Sequence, residues 1–174
     1  MEIKGEILLI IIFVLLSTDL IKDLLLPGVL NVVNGFGAEA GKALATSTRI
    51  AKLAFTGSTA VGNMILKCAA ENLIPSTVEL GGKSPNIILA DADLEKAIPA
   101  AAMAVFFNSG QTCTAATRLY VQDTVYEQVM EGVAGVAASL KVAQGFDPEA
   151  VLGPLISAKQ LERVQGYVAK GREE

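Results

Sequence analysis

Short apolar runs rich in β-branched residues alternate along this chain with longer stretches of helical period, and glycine or asparagine stands at most of the joints. Residues 29–33, 50–55 and 77–80 read as strands, and the first and last run straight into Asn34-Gly35 and Gly81-Gly82. Between them, the alanine-dominated residues 38–47 and the segment 61–72 read as helices, the latter with Val61, Ile65, Leu66 and Ala69 on one side. Strand, helix, strand, helix, strand is the order in which a parallel sheet is built, because each crossover must return the chain to the same end of the sheet. The expected class is therefore α/β. After Gly81-Gly82 the pattern restarts, and a domain boundary is expected there. A strand at 86–89 is followed by a cap at Asp91-Ala92-Asp93 and an alanine-rich helix at 94–107, in which Pro99 requires a kink or a late start. Then come a strand at 118–122, an amphipathic helix at 125–141 weakened by Gly132 and Gly135, a loop at 144–154 and a last helix at 157–170. No internal repeat is present.

The N-terminal end does not share this pattern. Residues 7–16 form an uninterrupted apolar run. As a helix it would be about 15 Å long, half of the roughly 30 Å that a bilayer core requires. Lys4 is offset by Glu2 and Glu6, and Ser17-Thr18-Asp19 is a poor cleavage site, so a signal peptide is not expected. The run is expected to be a buried strand or helix, or a stretch foreign to the rest of the fold, with no stable membrane insertion. Ser17-Thr18-Asp19 is expected to cap a short helix through Leu26, stopped by Pro27-Gly28. Only 18% of the residues are charged and 52% are hydrophobic, against roughly 25% charged in an ordinary globular protein. Such a balance in 174 residues fits either membrane association or a piece of something larger, whose apolar faces other sequence would cover.

Composition also removes chemistry. A net charge of −4 without a basic run argues against nucleic-acid binding. Two cysteines, Cys68 and Cys113, are too few for a disulfide framework or a zinc cluster and suit a reducing, cytoplasmic compartment. The chain has no histidine, which excludes within it a Ser-His-Asp triad, a Cys-His pair or a histidine-ligated metal. Any general base must be a carboxylate, a lysine, a tyrosine or a water held by one of them.

Three places carry candidate chemistry. Thr56-Gly57-Ser58-Thr59-Ala60-Val61-Gly62 is a glycine turn between a strand and a helix. There, backbone N–H groups and a helix N-terminus can face a phosphate, with Ser58 adding a hydroxyl donor. It is not the G-x-G-x-x-G fingerprint, and a plain strand-to-helix turn reads the same way. Glu79, between Val78 and Leu80, is either a carboxylate whose apolar neighbours raise its pKa toward general-base use or a strand-end side chain pointing to solvent. Lys83 is a loop cation. Cys113 follows the polar, turn-like Ser109-Gly110-Gln111-Thr112. A helix starting near it would favour the thiolate and offer N–H groups to a developing oxyanion; the alternative is a structural thiol. Cys68, beside Leu66 and Ala69, reads as a small core hydrophobe, and Arg118 as a partner for Asp123 or Glu127.

Taken in order, these segments resemble the aldehyde dehydrogenase superfamily from about Leu20 to the C-terminus. The resemblance rests on Leu26-Pro27-Gly28-Val29-Leu30-Asn31-Val32-Val33 and on Phe55-Thr56-Gly57-Ser58-Thr59 with Gly62. It continues through Glu79-Leu80-Gly81-Gly82-Lys83-Ser84-Pro85-Asn86, Phe107-Asn108 with Gly110-Gln111 and Cys113, and Gly153-Pro154-Leu155-Ile156. It implies a partial Rossmann-like cofactor-binding lobe followed by part of an α/β catalytic lobe. Residues 17–80 would be the C-terminal half of the NAD(P)-binding domain and 81–174 the N-terminal half of the catalytic domain, with 1–16 outside the family pattern. The implied reaction is oxidation of an aldehyde to a carboxylic acid with NAD or NADP. Cys113 would be the nucleophile, forming a thiohemiacetal and then a thioester, and its own N–H part of the oxyanion hole. Glu79 would activate the hydrolytic water. Gly57 and Ser58 would contact the cofactor's pyrophosphate at a helix N-terminus, Gly62 would belong to the same cofactor site, and Leu80 and Gly81 would lie beside the nicotinamide. Homo-oligomers are implied for the full-length family.

The departures are also specific. The family's oxyanion asparagine, in a Pro-Trp-Asn context, has no counterpart in a chain without tryptophan. The lysine-bearing strand that holds the adenosine ribose, the Glu-x-Phe-Gly-Pro segment and the strand used for subunit pairing are absent, and Ala60 replaces a common glutamate. The chain thus resembles the central part of the enzyme, expected to be inactive alone. The alternative is a catalytically incompetent remnant or interaction fragment.

Overall fold

The structure is a computed structural model that describes residues 4–174, with side chains from Phe13 onward. The chain divides into two compact units, Met1–Glu79 and Leu80–Glu174.

In the first unit, α1 spans Lys4–Ile21 and is followed by a 3-10 turn at Lys22–Leu24. Ser17 and Thr18 do not begin a helix, as expected, but lie inside one. Their hydroxyls donate to the carbonyls of Phe13 and Val14 one turn back, both at 2.8 Å. This back-bonding is the alternative that Ser and Thr have to capping when the residues before them are already helical. Asp19 instead pairs with Lys22 at 2.7 Å. The apolar run is thus helical, and its described portion is not buried: Phe13 is 71% exposed and Leu16 60%. Among the described residues no helix is long and apolar enough to cross a membrane.

The strand expected at 29–33 is absent. The chain turns at Gly28, where φ is +84°, and Asn31 Nδ2 donates to the Gly28 carbonyl at 2.8 Å. β-branched residues make a strand only where a neighbouring strand supplies the ladder, and no strand pairs with this stretch. The helix expected at 38–47 is present in broken form, as a π-helical turn at Gly37–Gly41 leading into α2, Lys42–Ala45. Gly37 and Gly41 carry the high backbone entropy that disfavours a regular helix there.

Next come β1 (Leu53–Gly57), α3 (Thr59–Glu71) and β2 (Ser76–Leu80), with β1 and β2 forming a two-stranded sheet. Leaving α3, the chain reverses at Leu73, φ +53°, and the N–H of Leu53 donates to the Pro75 carbonyl at 3.1 Å. Ala45, Leu53 and Ala69 form the core of this unit, with Ile50, Ile65, Cys68 and Ile74 packed against it.

The second unit opens with β3 (Pro85–Ile88), α4 (Leu94–Phe106) and β4 (Arg118–Val121). β3 and β4 pair in parallel, with Pro85 opposite Arg118 and Ile88 opposite Val121, and α4 is the crossover. Pro99 lies inside α4 without ending it. Asp93 stands at its N-cap position, but its carboxylate takes Lys96 Nζ at 2.6 Å rather than a backbone N–H. α4 packs on α5 (Tyr126–Ser139) over a core of Ile88, Ala101 and Val129. The last helix, α6 (Ala158–Glu173), is capped by Ser157, whose Oγ accepts from Gln160 N at 3.2 Å. The mixed helix and strand architecture is the one expected. The sheet, however, is built as two separate strand pairs among the described residues.

Candidate active site

Gly57 ends β1, and Ser58 leaves the strand in extended conformation to become the N-cap of α3. Its Oγ accepts from Val61 N at 3.3 Å, and its carbonyl accepts from the N–H of the buried Gly62 at 2.8 Å. One capping hydroxyl cannot serve every free donor of a first helical turn. The N–H groups of Thr59 and Ala60 find no acceptor among the described residues, and the Ser58 hydroxyl proton is also free to donate. A Cβ at Gly57 would stand 2.5 Å from the tip of the Phe55 ring, which would have to move aside. This corner is an anion-binding geometry: three free donors at the N-terminus of a thirteen-residue helix.

Glu79 lies on β2, where half-buried and exposed residues alternate, and it falls on the exposed side between half-buried Val78 and Leu80. The apolar enclosure considered for it is not present in this chain, because strand alternation sends its side chain away from its neighbours'. Beyond Leu80, a Cβ at Gly81 or Gly82 would meet nothing within 4 Å. Lys83 Nζ donates to the Gly82 carbonyl at 3.0 Å. Arg118 does not pair with Asp123 or Glu127. Its Nε donates to the Lys83 carbonyl at 2.8 Å, and its guanidinium lies 5.9 Å from the Tyr120 ring centre. The parallel register that sets Arg118 opposite Pro85 brings it to the end of that loop. Sequence reasoning missed this bond, and pairing register was the signal that would have found it.

Cys113 is exposed. After α4 the chain reverses through Phe107–Gly110, with φ +52° at Asn108, +56° at Ser109 and +73° at Gly110. No helix starts at Cys113, contrary to the expectation. It sits in a turn in which Ala115 N donates to the Thr112 carbonyl at 3.1 Å. The physical reason is that the following residues are drawn toward β4: Ala116 N donates to the Ala104 carbonyl and Arg118 N to the Ser84 carbonyl, at 3.1 and 3.2 Å. The N–H groups of Cys113 and Thr114 nevertheless donate to nothing among the described residues. Thr112 and Thr117, on either side, bury hydroxyls that have no partner there.

Two bonds from far along the chain hold the turn before Cys113. Ser109 Oγ donates to the Gly153 carbonyl at 2.9 Å, and Gln111 Oε1 accepts from Ile156 N at 2.9 Å. Sequence reasoning singled out both segments without joining them. Below the turn, Val105, Phe106 and Gly110 face Val142 and Leu152 across a cavity of about 290 Å³.

Cys68 is half-buried against the core of the first unit, as its neighbours suggested. The structure thus gathers Gly57, Ser58 and Gly62 at one corner. It sets Glu79 at the end of the first unit, and Leu80, Gly81 and Cys113 in the second. Among the described residues no group of three or more His, Cys, Asp or Glu side chains could hold a metal ion.

Comparison with known proteins identifies the family. The profile of the aldehyde dehydrogenase family matches residues 11–174, opening upstream of Leu20 and taking in the end of the apolar run. An aldehyde dehydrogenase of Vibrio cholerae is 48% identical over 167 residues, covering 92% of this chain and 33% of that protein. An acetaldehyde dehydrogenase of Pseudomonas aeruginosa is 52% identical over 162 residues, covering 90% and 32%. Among solved structures, the NAD+ complex of an aldehyde dehydrogenase from Bacillus cereus is 45% identical with a TM-score of 0.88, covering 92% of this chain and 33% of that one. The chain spans about a third of the length of these relatives. The family match over residues 11–174 and the likeness of the backbone lead to one conclusion: this chain belongs to the aldehyde dehydrogenase family.

Proposed function

We propose that this chain carries the nucleophilic part of an NAD(P)-linked oxidation of an aldehyde to a carboxylic acid. The observation that carries the reading is Cys113 itself: an exposed thiol whose own amide and the next one donate to nothing else among the described residues. In the addition step, Sγ gives its proton to solvent water and forms a bond to the carbonyl carbon, and the π pair moves to oxygen. The oxyanion then lies within reach of the free N–H groups. The cofactor, when bound, supplies the hydride acceptor. In the second half-reaction, Glu79 takes a proton from water that attacks the thioester, releasing the acid and restoring the thiol.

For the cofactor, the Thr59 and Ala60 amides and the Ser58 hydroxyl offer donors to a pyrophosphate, with Gly57 at the end of β1 and buried Gly62 in the first turns of α3. Leu80 and the open space at Gly81 suit the nicotinamide end. The acceptor on this reading is NAD or NADP. On this reading residues 17–80 belong to a cofactor-binding domain and 81–174 to a catalytic one, as part of a cytoplasmic homo-oligomer.

A second reading, an incompetent remnant, is favoured by a specific observation: Glu79 stands on the exposed side of β2, outside the apolar surroundings that suit a carboxylate to general-base work. The two readings separate in one experiment. The purified chain is incubated with aldehydes of increasing length, with and without NAD or NADP. Capture of aldehyde at Cys113 with NADH or NADPH at background is the expected result. Reduced cofactor above background would establish the full reaction, and no capture at Cys113 would leave only the remnant.

A further inference from the structure

The turn that presents Cys113 is held both from within and from a remote segment. Asn108 and Ser109 are consecutive non-glycine residues in left-handed conformation, which persists only where the surroundings enforce it. Within the turn, Gln111 N donates to the Asn108 carbonyl at 3.1 Å, and the contacts from outside come from one segment. Ser109 Oγ reaches Gly153 O and Gln111 Oε1 takes Ile156 N–H, across 44 and 45 residues of sequence. The Gln111 amide works at both ends. Its Nε2 donates to the Asn108 carbonyl at 3.4 Å while Oε1 accepts from Ile156, and Asn108 Nδ2 donates to the Gln111 carbonyl at 3.3 Å. A backbone N–H demands the oxygen and a carbonyl demands the nitrogen, so the two partners fix the orientation of the amide. No carboxylate or hydrocarbon of that size can do both.

We propose that Gln111 is the positioning residue for Cys113: it clamps the turn 108–111 to the segment 153–156, so that the Cys113 amide and thiol are presented in one orientation. The proposal rests on the aldehyde-addition reading above and names the residue that aligns it. Gln111 touches no reacting atom in this scheme. It acts two residues upstream, through the backbone, and a misplacement of about 1 Å at such a site is enough to lose on the order of a hundredfold in rate.

The test uses the whole chain with Gln111→Met, which removes donor and acceptor, and Gln111→Glu, which keeps the acceptor for Ile156. Two quantities are measured: amide hydrogen exchange, and the propanal concentration that half-protects Cys113 from iodoacetamide. In Gln111→Met, exchange at Ile156 should quicken on the order of tenfold while that at Arg118 and Gln122 holds, and the half-protecting concentration should rise on the order of tenfold. Alkylation without aldehyde should change less than about twofold, because displacement of iodide needs no oxyanion donor. Gln111→Glu should stay near the unchanged chain at Ile156. Unaltered Ile156 exchange in Gln111→Met would overturn the proposal, as would an unaltered half-protecting concentration. If propanal fails to protect Cys113 in the unchanged chain, the addition reading fails and exchange alone decides the clamp, its loss in Met but not Glu supporting it. If Gln111→Met also frees Arg118 and Gln122, Gln111→Asn, whose amide is one methylene too short to reach both partners, replaces it. Faster exchange at Ile156 then supports the clamp, and unchanged exchange there overturns it.

Discussion

Gly132 of α5 packs directly on Ile98 of α4: a Cβ at Gly132 would stand 2.7 Å from Ile98 Cγ2 and 2.8 Å from its Cδ1. Gly135, one turn further on, is exposed and has nothing within 4 Å of the corresponding position. In the sequence both read as weak points of one helix. In the structure only Gly135 is that, whereas Gly132 is what allows the two helices to close over Val129. Gly135→Ala is therefore expected to stabilise the chain by about 0.5–1 kcal/mol through lower unfolded-state entropy. Gly132→Ala is expected to destabilise it by about 1–3 kcal/mol, since the branched side chain of Ile98 must shift. Urea midpoints of the two variants should move in opposite directions, and a common direction would remove the packing role.

Ser58 holds the first turn of α3 through the bond from Val61 N. Ser58→Ala should cost about 1 kcal/mol in the unfolding free energy, and Ser58→Asp should retain most of the cap. If the same hydroxyl faces a pyrophosphate, the two variants diverge in cofactor binding. Alanine should weaken it modestly, and the added carboxylate should weaken it far more by like-charge repulsion. Equal affinity in the alanine and aspartate variants, measured by calorimetry, would remove Ser58 from the cofactor site.

What could be read in advance was what local interactions decide. The glycine turn at 56–62 and the periodicity of 61–72 announced α3, because both are decided within a few residues. β3, α4 and β4 followed from runs and breaks of similar range. The misreadings occurred where the deciding partner is remote or the local chemistry has two outcomes. Val29, Val32 and Val33 had strand composition but no ladder to join. Ser17 and Thr18 had the choice of capping forward or bonding back, and the helical residues upstream made it. Around Cys113 a helix N-terminus was the local expectation, and the pull of β4 overrode it. Arg118 and Gln111 are held by Lys83 and Ile156, at sequence distances that no window spans.

Thr117 buries a hydroxyl with no partner among the described residues, immediately before β4. Valine has the same shape without the polar atom. Thr117→Val is expected to leave stability unchanged or raise it by about 1 kcal/mol, because an unmade buried hydrogen bond is relieved. Thermal unfolding followed by circular dichroism measures this. A clear loss of stability would mean that the hydroxyl is satisfied in solution, for instance by bound water.

The two thiols provide the remaining comparison, since they differ in surroundings within one chain. Cys113 stands exposed in its turn, while Cys68 is half-buried against the Ala45, Leu53 and Ala69 core. Access alone should make Cys113 the faster to alkylate with iodoacetamide at neutral pH, on the order of tenfold. Cys113→Ser should abolish the fast phase, and Cys68→Ser should spare it. Because Cys68 reports the integrity of the first unit, mild urea should raise its rate as that core opens, narrowing the difference from one side only. Glu79→Gln adds a separate arm. Glu79 is exposed on β2, and if it serves only the hydrolytic water it should leave the alkylation rate of Cys113 unchanged while slowing release of a preformed acyl group from that cysteine. Equal labelling of the two cysteines by mass spectrometry would deny Cys113 its distinct environment, and acyl release indifferent to Glu79→Gln would assign the base to another residue.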